Sequence, residues 1–188
     1  MVTTDTKMTM ISRLPPPAPV DAGHGAFLDA LAQAGFGGEI ARDHANRTVL
    51  ATDNSIYTRA PQAVLYPRDT ADLVRIAHLA GTERFAGIVL APRGGGTGTN
   101  GQSLTEGLVV DVSRHMNRIL EIDEGNRRVR VQPGVVKDQL NAALRPFDII
   151  VCGLQQLQDD VFDIFTDIAR FGQSGGVSHG EGHIQNTG

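Results

Sequence analysis

The feature that most constrains this chain is a glycine-rich segment directly after an apolar run. Five glycines fall within the eight residues 94–101, and the apolar residues 87–91 precede them. Glycine lets the backbone adopt positive φ angles and lets a ligand approach without a Cβ in the way. Consecutive backbone N–H groups in such a turn form a concave nest that suits a phosphate or diphosphate. Side chains that can add hydrogen-bond donors there are Arg93, Thr97, Thr99 and Asn100.

Three kinds of phosphate-binding loop carry glycines in this number. A Walker A loop is excluded, because no Gly-Lys-Ser or Gly-Lys-Thr follows. Gly96, Gly98 and Gly101 have the G-x-G-x-x-G spacing of dinucleotide-binding folds, but that motif must open a helix. Residues 102–107 are too few for a helix before the next predicted strand. A loop that binds diphosphate by backbone N–H groups alone and a glycine-rich surface turn both remain open.

Hydrophobic periodicity around the loop predicts a mixed α+β layer rather than a bundle or a sandwich. Residues 45–57 show no clear periodicity, and the sequence contains no internal repeat. Thr70 is predicted to cap the second helix, which Gly81 ends. The predicted helices cover 25–34, 71–80 and 136–144, and the predicted strands cover 63–66, 87–91, 108–112, 118–122 and 128–131, with a turn at 124–126 between the last two.

Charge and composition exclude several classes of protein. The net charge is −4, which argues against a nucleic-acid binder that depends on phosphate contacts. No apolar run reaches the roughly 18 residues of a membrane helix. Cys152 is the only cysteine and cannot form an internal disulfide, which favours the cytoplasm. Residues 1–147 are nearly neutral, whereas residues 148–188 hold Arg170 against six acidic residues.

Four motifs in order resemble the start of the FAD-binding domain of the vanillyl-alcohol oxidase and p-cresol methylhydroxylase (PCMH) superfamily. Two further motifs make the chain most similar to large bacterial FAD and iron–sulfur D-2-hydroxyglutarate dehydrogenases, which are glycolate-oxidase-like. The four motifs are PRDTADLV at 67–74, APRGGGTG at 91–98, DVSRHMNRI at 111–119 and VQPGV at 131–135, and the two further motifs are ATDNSIY at 51–57 and GTNGQ at 98–102.

The resemblance implies a fold, a cofactor and a reaction. It implies the first half of a PCMH-type domain, a mixed sheet with flanking helices, in which the segment at Ser113 and Arg114 lies near the loop in a structural role. Thr97 stands where some members attach FAD covalently through a histidine, so non-covalent FAD is expected. The flavin of the family accepts a hydride from a D-2-hydroxy acid such as D-2-hydroxyglutarate or D-lactate. The residues implied to bind the FAD diphosphate are Pro92, Arg93, Gly94, Gly95, Gly96, Thr97, Gly98, Thr99, Asn100 and Gly101.

The sequence also predicts where this domain ends. Residues 1–20 are expected to form a flexible arm with a polyproline patch, for which a proline-rich docking ligand is the alternative. Residues 21–147 are the partial FAD-binding domain, because the family's second glycine-rich stretch does not follow. Residues 148–188 are interpreted as an appended, out-of-frame or rearranged acidic tail. The expected function is a piece of a flavin-dependent oxidoreductase, completed by a substrate-domain chain; the alternative is a truncated, inactive fragment.

The side chains in this sequence that could act as nucleophiles, bases or metal ligands are interpreted as structural or solvated residues. Asp111, Ser113 and His115 lie too close together along one strand and its turn to form a catalytic triad. Cys152 has no local base and is interpreted as a small apolar residue. In the tail, residues 158–170 are predicted to form an acidic helix and residues 172–183 to be disordered. His179 and His183 are therefore interpreted as solvated rather than as zinc ligands, and no catalytic or metal-binding residue is predicted.

Overall fold

The computed structural model describes residues 18–126, 128–147 and 151. Two short 3-10 helices, Glu83–Phe85 and Arg145–Phe147, supplement the regular elements. The regular elements in chain order are α1 (Ala22–Gln33), β1 (Glu39–Ala41), α2 (His44–Val49), β2 (Ala63–Tyr66), α3 (Thr70–Ala80), β3 (Leu90–Arg93), β4 (Leu108–Asp111), β5 (Ile119–Asp123), β6 (Arg128–Val131) and α4 (Lys137–Leu144).

The main sheet has four strands in the order β1-β2-β4-β3. Strands β2 and β3 both run parallel to β4, with Val64 and Ala91 as the partners of Val109, whereas β1 is antiparallel to β2. Every residue of the two central strands is buried, as expected for an apolar strand covered on both faces. The sheet is thus mixed and flanked by helices, which confirms the predicted fold class.

Helices cover the two faces of this sheet unequally. On one face, α1 and α3 bury their apolar side chains against β2 and β4, and Phe27 packs edge-on against Phe85. On the other face, Leu50 at the end of α2 packs against Val64 and Val109. The second face is therefore packed against the end of the short helix α2.

The hairpin of β5 and β6 forms a second, two-stranded sheet. Asp123 closes its turn by accepting hydrogen bonds from the backbone N–H and the side-chain amide of Asn126. Leu140 and Leu144 of α4 are buried and pack against the hairpin. This part of the structure confirms the predicted turn at 124–126 and the last predicted helix.

The predicted elements differ from the observed ones mainly at their ends. Helix α1 begins three residues before the predicted start, because the Asp21 side chain accepts a hydrogen bond from the His24 N–H. The prediction that Thr70 caps α3 is wrong: the cap is Asp69, which accepts from the Asp72 N–H. The strand predicted at 87–91 is displaced, because the 3-10 helix at 83–85 is followed by a turn at 86–87 and β3 starts only at Leu90.

Two elements, β1 and α2, lie where no element was predicted. With three and six residues, each is too short to repeat a hydrophobic pattern over several periods. Helix α2 is stabilised by its cap instead, because Asp43 accepts hydrogen bonds from the Asn46 N–H and side chain. Pairing with β2 defines β1 and a local cap defines α2, and neither of these features appears as hydrophobic periodicity.

Several predictions fall outside the described part of the chain. These are most of the arm, the acidic helix at 158–170, Cys152, and the histidines 179 and 183. The end of the arm is described: the Ala18 carbonyl accepts a hydrogen bond from Arg47, and Val20 packs against the core. Within residues 18–126, 128–147 and 151, no helix is long and apolar enough to cross a bilayer, and no three His, Cys, Asp or Glu side chains cluster as metal ligands.

Candidate functional site

The glycine-rich loop leaves the main sheet at the carboxyl end of β3. Pro92 and Arg93, which the sequence placed in the loop, belong to this strand and pair with Val110 and Asp111. Proline is tolerated because β3 is an edge strand, where one side of the backbone needs no ladder partner. In open α/β sheets, ligands bind at the carboxyl ends of parallel strands, which is where this loop begins.

Six consecutive backbone N–H groups of the loop have no hydrogen-bond acceptor among the described residues. From Gly94 to Thr99, none of these groups donates a hydrogen bond to any residue of the described chain. The next N–H, that of Asn100, donates to the side chain of Gln102 at 3.1 Å. A run of unpaired N–H groups in a turn is the arrangement that binds an anion.

No helix follows the loop. Residues 102–107 are turns and bends that lead directly into β4. The G-x-G-x-x-G spacing therefore occurs without the helix dipole that dinucleotide-binding folds use, as the sequence predicted. Any anion bound by this loop depends on the local N–H groups and on nearby cationic side chains.

Arg93 is the cationic side chain at the loop. Its guanidinium packs so closely on Gly96 that a Cβ there would lie 2.4 Å from Nη2. Gly96 also has a φ of 65°, which favours glycine. The Nη1 atom of Arg93 is buried and has no hydrogen-bond partner among the described residues. A buried unpaired donor costs about 1–3 kcal/mol, and a bound anion would remove that cost.

A second segment, residues 53–57, braces the loop along its length. The Asn54 N–H donates to the Gly96 carbonyl at 3.1 Å. The Asp53 carboxylate accepts from the Ser55 N–H at 2.8 Å and from the Ser103 hydroxyl at 3.1 Å. The loop is thereby held at its beginning and just beyond its end.

The Tyr57 ring lies beside Gly101 at the end of the loop. A Cβ on Gly101 would lie 3.1 Å from that ring, and Gly101 has a φ of 73°, so a larger residue is excluded there. Ile56 beside it is almost fully exposed.

Sequence reasoning missed this bracing segment as part of the site. The ATDNSIY motif contributed to the family resemblance, but no role was predicted for its residues. A signal was present, because Asp followed two residues later by Ser is the pattern of an Asx turn, in which the carboxylate accepts a backbone N–H. What the sequence could not supply is the partner 50 residues away, Ser103.

The Asp53 carboxylate is held in its ionised form. Burial opposes ionisation, but hydrogen bonds from Ser55 and Ser103 and the positive charge of Arg93 outweigh burial and lower the pKa of Asp53 below its ordinary value. The site therefore combines a fixed negative charge behind the loop with the guanidinium and N–H groups of the loop itself.

The predicted donor side chains of the loop are free. Thr97, Thr99 and Asn100 are exposed, and their side chains make no hydrogen bond within the described residues. The structure thus brings Arg93 and the glycine backbone together, while these three side chains lie at the surface, where they can reach a ligand without first breaking an internal contact.

The segment after β4 lies beside the start of the loop, because the Val112 N–H donates to the Arg93 carbonyl at 2.9 Å. The Ser113 hydroxyl donates to Asp111 at 2.6 Å, whereas His115 pairs with Glu39 at 2.7 Å. Ser113 and His115 therefore have different hydrogen-bond partners. The hydrogen bond from His115 is the main cause that lowers the pKa of Glu39.

Arg114 has the structural role that the resemblance implied. Its guanidinium pairs with Glu39 at 2.8 Å and lies 3.5 Å from the centre of the Tyr66 ring. Burial raises the pKa of the Tyr66 hydroxyl, which donates to Asn46. Arg114, Tyr66 and Asn46 line an open cavity of about 430 Å³ between α2 and the ends of β2 and β4.

Comparisons with known proteins agree with this geometry. Residues 61–155 match a family model described as a FAD binding domain. The chain is 61% identical over 137 residues, 73% of its length, to the D-2-hydroxyglutarate dehydrogenase of Pseudomonas putida. It is 55% identical over 121 residues, 64% of its length, to the enzyme of the same name from Escherichia coli. The resemblance drawn from the motifs is confirmed.

The chain spans only a small part of these relatives, 14% and 12% of their respective lengths. Among solved structures, an alkyldihydroxyacetonephosphate synthase superposes with a TM-score of 0.59 at 20% identity, over 69% of this chain and 28% of the synthase chain. Identity this low supports the fold alone.

Proposed function

The chain belongs to the FAD binding domain family, and from this premise we propose that its glycine-rich loop binds the diphosphate of FAD non-covalently. The proposed site consists of the N–H groups of residues 94–99 and the side chain of Arg93, with Thr97, Thr99 and Asn100 as further donors at the surface. Gly101 closes the loop. Pro92 contributes as the strand residue that leads into it.

One observation carries this proposal. Six consecutive unpaired N–H groups lie beside the Arg93 guanidinium, whose buried Nη1 atom has no partner among the described residues. A diphosphate offers several anionic oxygens that could accept from both sets of donors, and charge-assisted hydrogen bonds are stronger than neutral ones. A glycine-rich surface turn without a ligand would give no reason to bury an unpaired cationic donor.

The proposed binding is non-covalent because residues 92–101 include neither histidine nor cysteine. The Thr97 hydroxyl is a weak nucleophile at neutral pH, and no base accompanies it among the described residues. When bound, FAD supplies the capacity to accept a hydride. In this proposal the loop N–H groups and Arg93 bind the diphosphate of FAD.

We propose that the complete system oxidises D-2-hydroxy acids, such as D-2-hydroxyglutarate or D-lactate. The names of the relatives support this substrate class. The chain alone is proposed to bind FAD without turnover. Asp53, the carboxylate that faces the loop among the described residues, is occupied by Ser55 and Ser103 and is not free to move a proton.

A complementing chain with a substrate domain would supply the missing reaction groups. The proposal includes a cytoplasmic location, which the single cysteine supports.

Titration of the purified 188-residue chain with FAD tests the proposal. We expect quenching of flavin fluorescence that saturates, together with a yellow protein after gel filtration. Acid denaturation followed by filtration should release all the flavin into the filtrate, because the linkage is non-covalent. Flavin retained on the denatured chain would contradict the non-covalent proposal, and a colourless chain that does not respond to FAD would contradict the cofactor.

Arg93→Ala should raise the Kd for FAD by roughly tenfold to a hundredfold, because it removes a charge-assisted donor. Arg59→Ala is the matched control, since Arg59 is an exposed arginine paired with Glu106 on the surface. An equal loss of affinity in the two variants would show that general charge, rather than the loop, attracts the flavin. Turnover of D-2-hydroxyglutarate with a dye acceptor by the chain alone would contradict binding without catalysis.

A further inference from the structure

We propose that Asp53 is a positioning residue that fixes the direction of the N–H groups in the glycine-rich loop. The consequence for FAD affinity rests on the function proposed above. The positioning itself does not, because it concerns contacts present in the chain without a ligand. Asp53 is not expected to touch the cofactor.

Asp53 forms an Asx turn with the backbone two residues later. One carboxylate oxygen accepts from the Ser55 N–H at 2.8 Å, and the Ser55 hydroxyl accepts from the Tyr57 N–H at 3.2 Å. These two bonds fix the backbone on either side of Ser55. The Asn54 N–H is thereby presented to the loop, where it donates to the Gly96 carbonyl at 3.1 Å.

The second step follows from peptide geometry. The carbonyl of Gly96 and the N–H of Thr97 belong to the same peptide unit, and in a trans peptide these two groups point in opposite directions. The structure contains no cis peptide bond among its described residues. Holding the Gly96 oxygen against Asn54 therefore turns the Thr97 N–H away from residues 53–57 and leaves it free to meet an anion.

The third step is the long-range bond. The other carboxylate oxygen of Asp53 accepts from the Ser103 hydroxyl at 3.1 Å, and Ser103 is 7% exposed. Asp53 is thus linked to the loop at two points. Its neighbour Asn54 binds Gly96 within the loop, and its own carboxylate binds Ser103 just after the loop. Without the hydrogen bonds at Gly96 and Ser103, each glycine regains access to several backbone conformations. Binding must then order the N–H groups of residues 94–99, which weakens the affinity for the ligand.

A carboxylate behind an anion site also repels the anion, so positioning and charge predict opposite effects. Asp53→Asn keeps an oxygen that can accept from Ser55 and an amide that can donate to Ser103, but it removes the charge. Asp53→Ala removes the charge and both hydrogen bonds. Ser103→Ala removes only the long-range bond. Asp123→Ala is the matched control, because Asp123 accepts from a backbone N–H in a turn of the β5–β6 hairpin.

Two measurements are made on the full chain and its variants. The first is hydrogen exchange of the Asn54 N–H without ligand, followed by NMR. The second is the Kd for FAD and, separately, for inorganic pyrophosphate. Asp53→Ala should exchange at Asn54 at least tenfold faster than wild type and raise both Kd values by roughly tenfold to a hundredfold. Ser103→Ala should change the exchange rate of the Asn54 N–H and both Kd values in the same direction, but less. For Asp53→Asn and Asp123→Ala, the exchange rate and both Kd values should stay within about threefold of wild type.

Several results would overturn the inference. One is unchanged exchange at Asn54 in both Asp53→Ala and Ser103→Ala. Another is an Asp53→Ala variant that binds FAD and pyrophosphate more tightly than wild type, which would assign the effect to the repulsive charge. A third is an Asp53→Asn variant that binds as weakly as Asp53→Ala, because the hydrogen bonds kept by the amide would then not position the loop. If wild type binds neither FAD nor pyrophosphate, the proposed function fails, while the exchange of Asn54 still decides whether Asp53 positions the loop.

Discussion

Replacement of Gly96 by alanine is the most direct test of how the loop is built. Gly96 has a φ of 65°, in the left-handed region, where an alanine costs about 1–2 kcal/mol. Its new Cβ would also lie 2.4 Å from Nη2 of Arg93. Because that atom is the far end of a flexible side chain, the guanidinium would move away at little further cost in stability. Gly96→Ala should therefore lower the free energy of unfolding by about 1–2 kcal/mol.

The displacement of Arg93 has a separate effect on binding. A charge-assisted hydrogen bond contributes about 1.5–3 kcal/mol, so its loss should raise the Kd for FAD by roughly tenfold to 150-fold. The two effects can be separated in an Arg93→Ala background. There, Gly96→Ala should still reduce stability by its backbone cost, but it should change the FAD affinity much less, because the guanidinium is already absent.

Urea denaturation and FAD titration of the same samples measure both effects. Gly95→Ala is the matched control for stability, because a Cβ at Gly95 would meet only the Thr97 methyl at 3.6 Å, an ordinary van der Waals distance. We expect Gly95→Ala to unfold within about 0.5 kcal/mol of wild type. Equal unfolding midpoints for the two variants would refute the left-handed backbone at Gly96. An FAD affinity of Gly96→Ala equal to that of wild type would refute the displacement of Arg93.

Two further predictions concern carboxylates that order the backbone. Asp72→Ala should lower the free energy of unfolding by about 2–4 kcal/mol in urea denaturation, because the nearly fully buried carboxylate accepts from the Gly37 and Arg68 N–H groups and its removal leaves both unpaired. A loss below about 0.5 kcal/mol, the range of an ordinary surface substitution, would contradict this. The lowered pKa of Asp53 gives stability that is present above its unfolded pKa of 3.8 and is lost as pH falls through the folded pKa. Between about pH 5 and about pH 2.5, the free energy of unfolding should therefore fall more for wild type than for Asp53→Asn. An equal fall in the two proteins would contradict the lowered pKa of Asp53.

The parts of the fold that the sequence predicted well are those with strong local signals. The bounds of β2 and β6 agree with prediction, because each is a short apolar or alternating run closed by a turn residue. The glycine-rich loop was recognised because no other residue type fits a cluster of tight backbone turns. In both cases the information lies within a few consecutive residues.

The parts that could not be predicted depend on partners far along the chain. Strand β1 is a strand because Ile40 pairs with Leu65 at the sheet edge, and its three residues carry no period of their own. The start of β3 could not be placed, because residues 87–91 are apolar throughout, whereas only the pairing of Leu90 with Leu108 defines where the ladder begins. Asp53 was missed for the same reason, since its function in the fold depends on Ser103.

The anion site that we propose at the loop has no helix N-terminus. A helix would supply N–H groups already aligned and a dipole that attracts negative charge. Here the alignment comes from glycines at positive φ and from the bracing of Gly96 by Asn54, and the attraction must come from the guanidinium of Arg93. Each of these depends on a few hydrogen bonds rather than on a cooperative helix. The affinity for a diphosphate should therefore be unusually sensitive to single substitutions in the bracing segment, including substitutions that never touch the ligand.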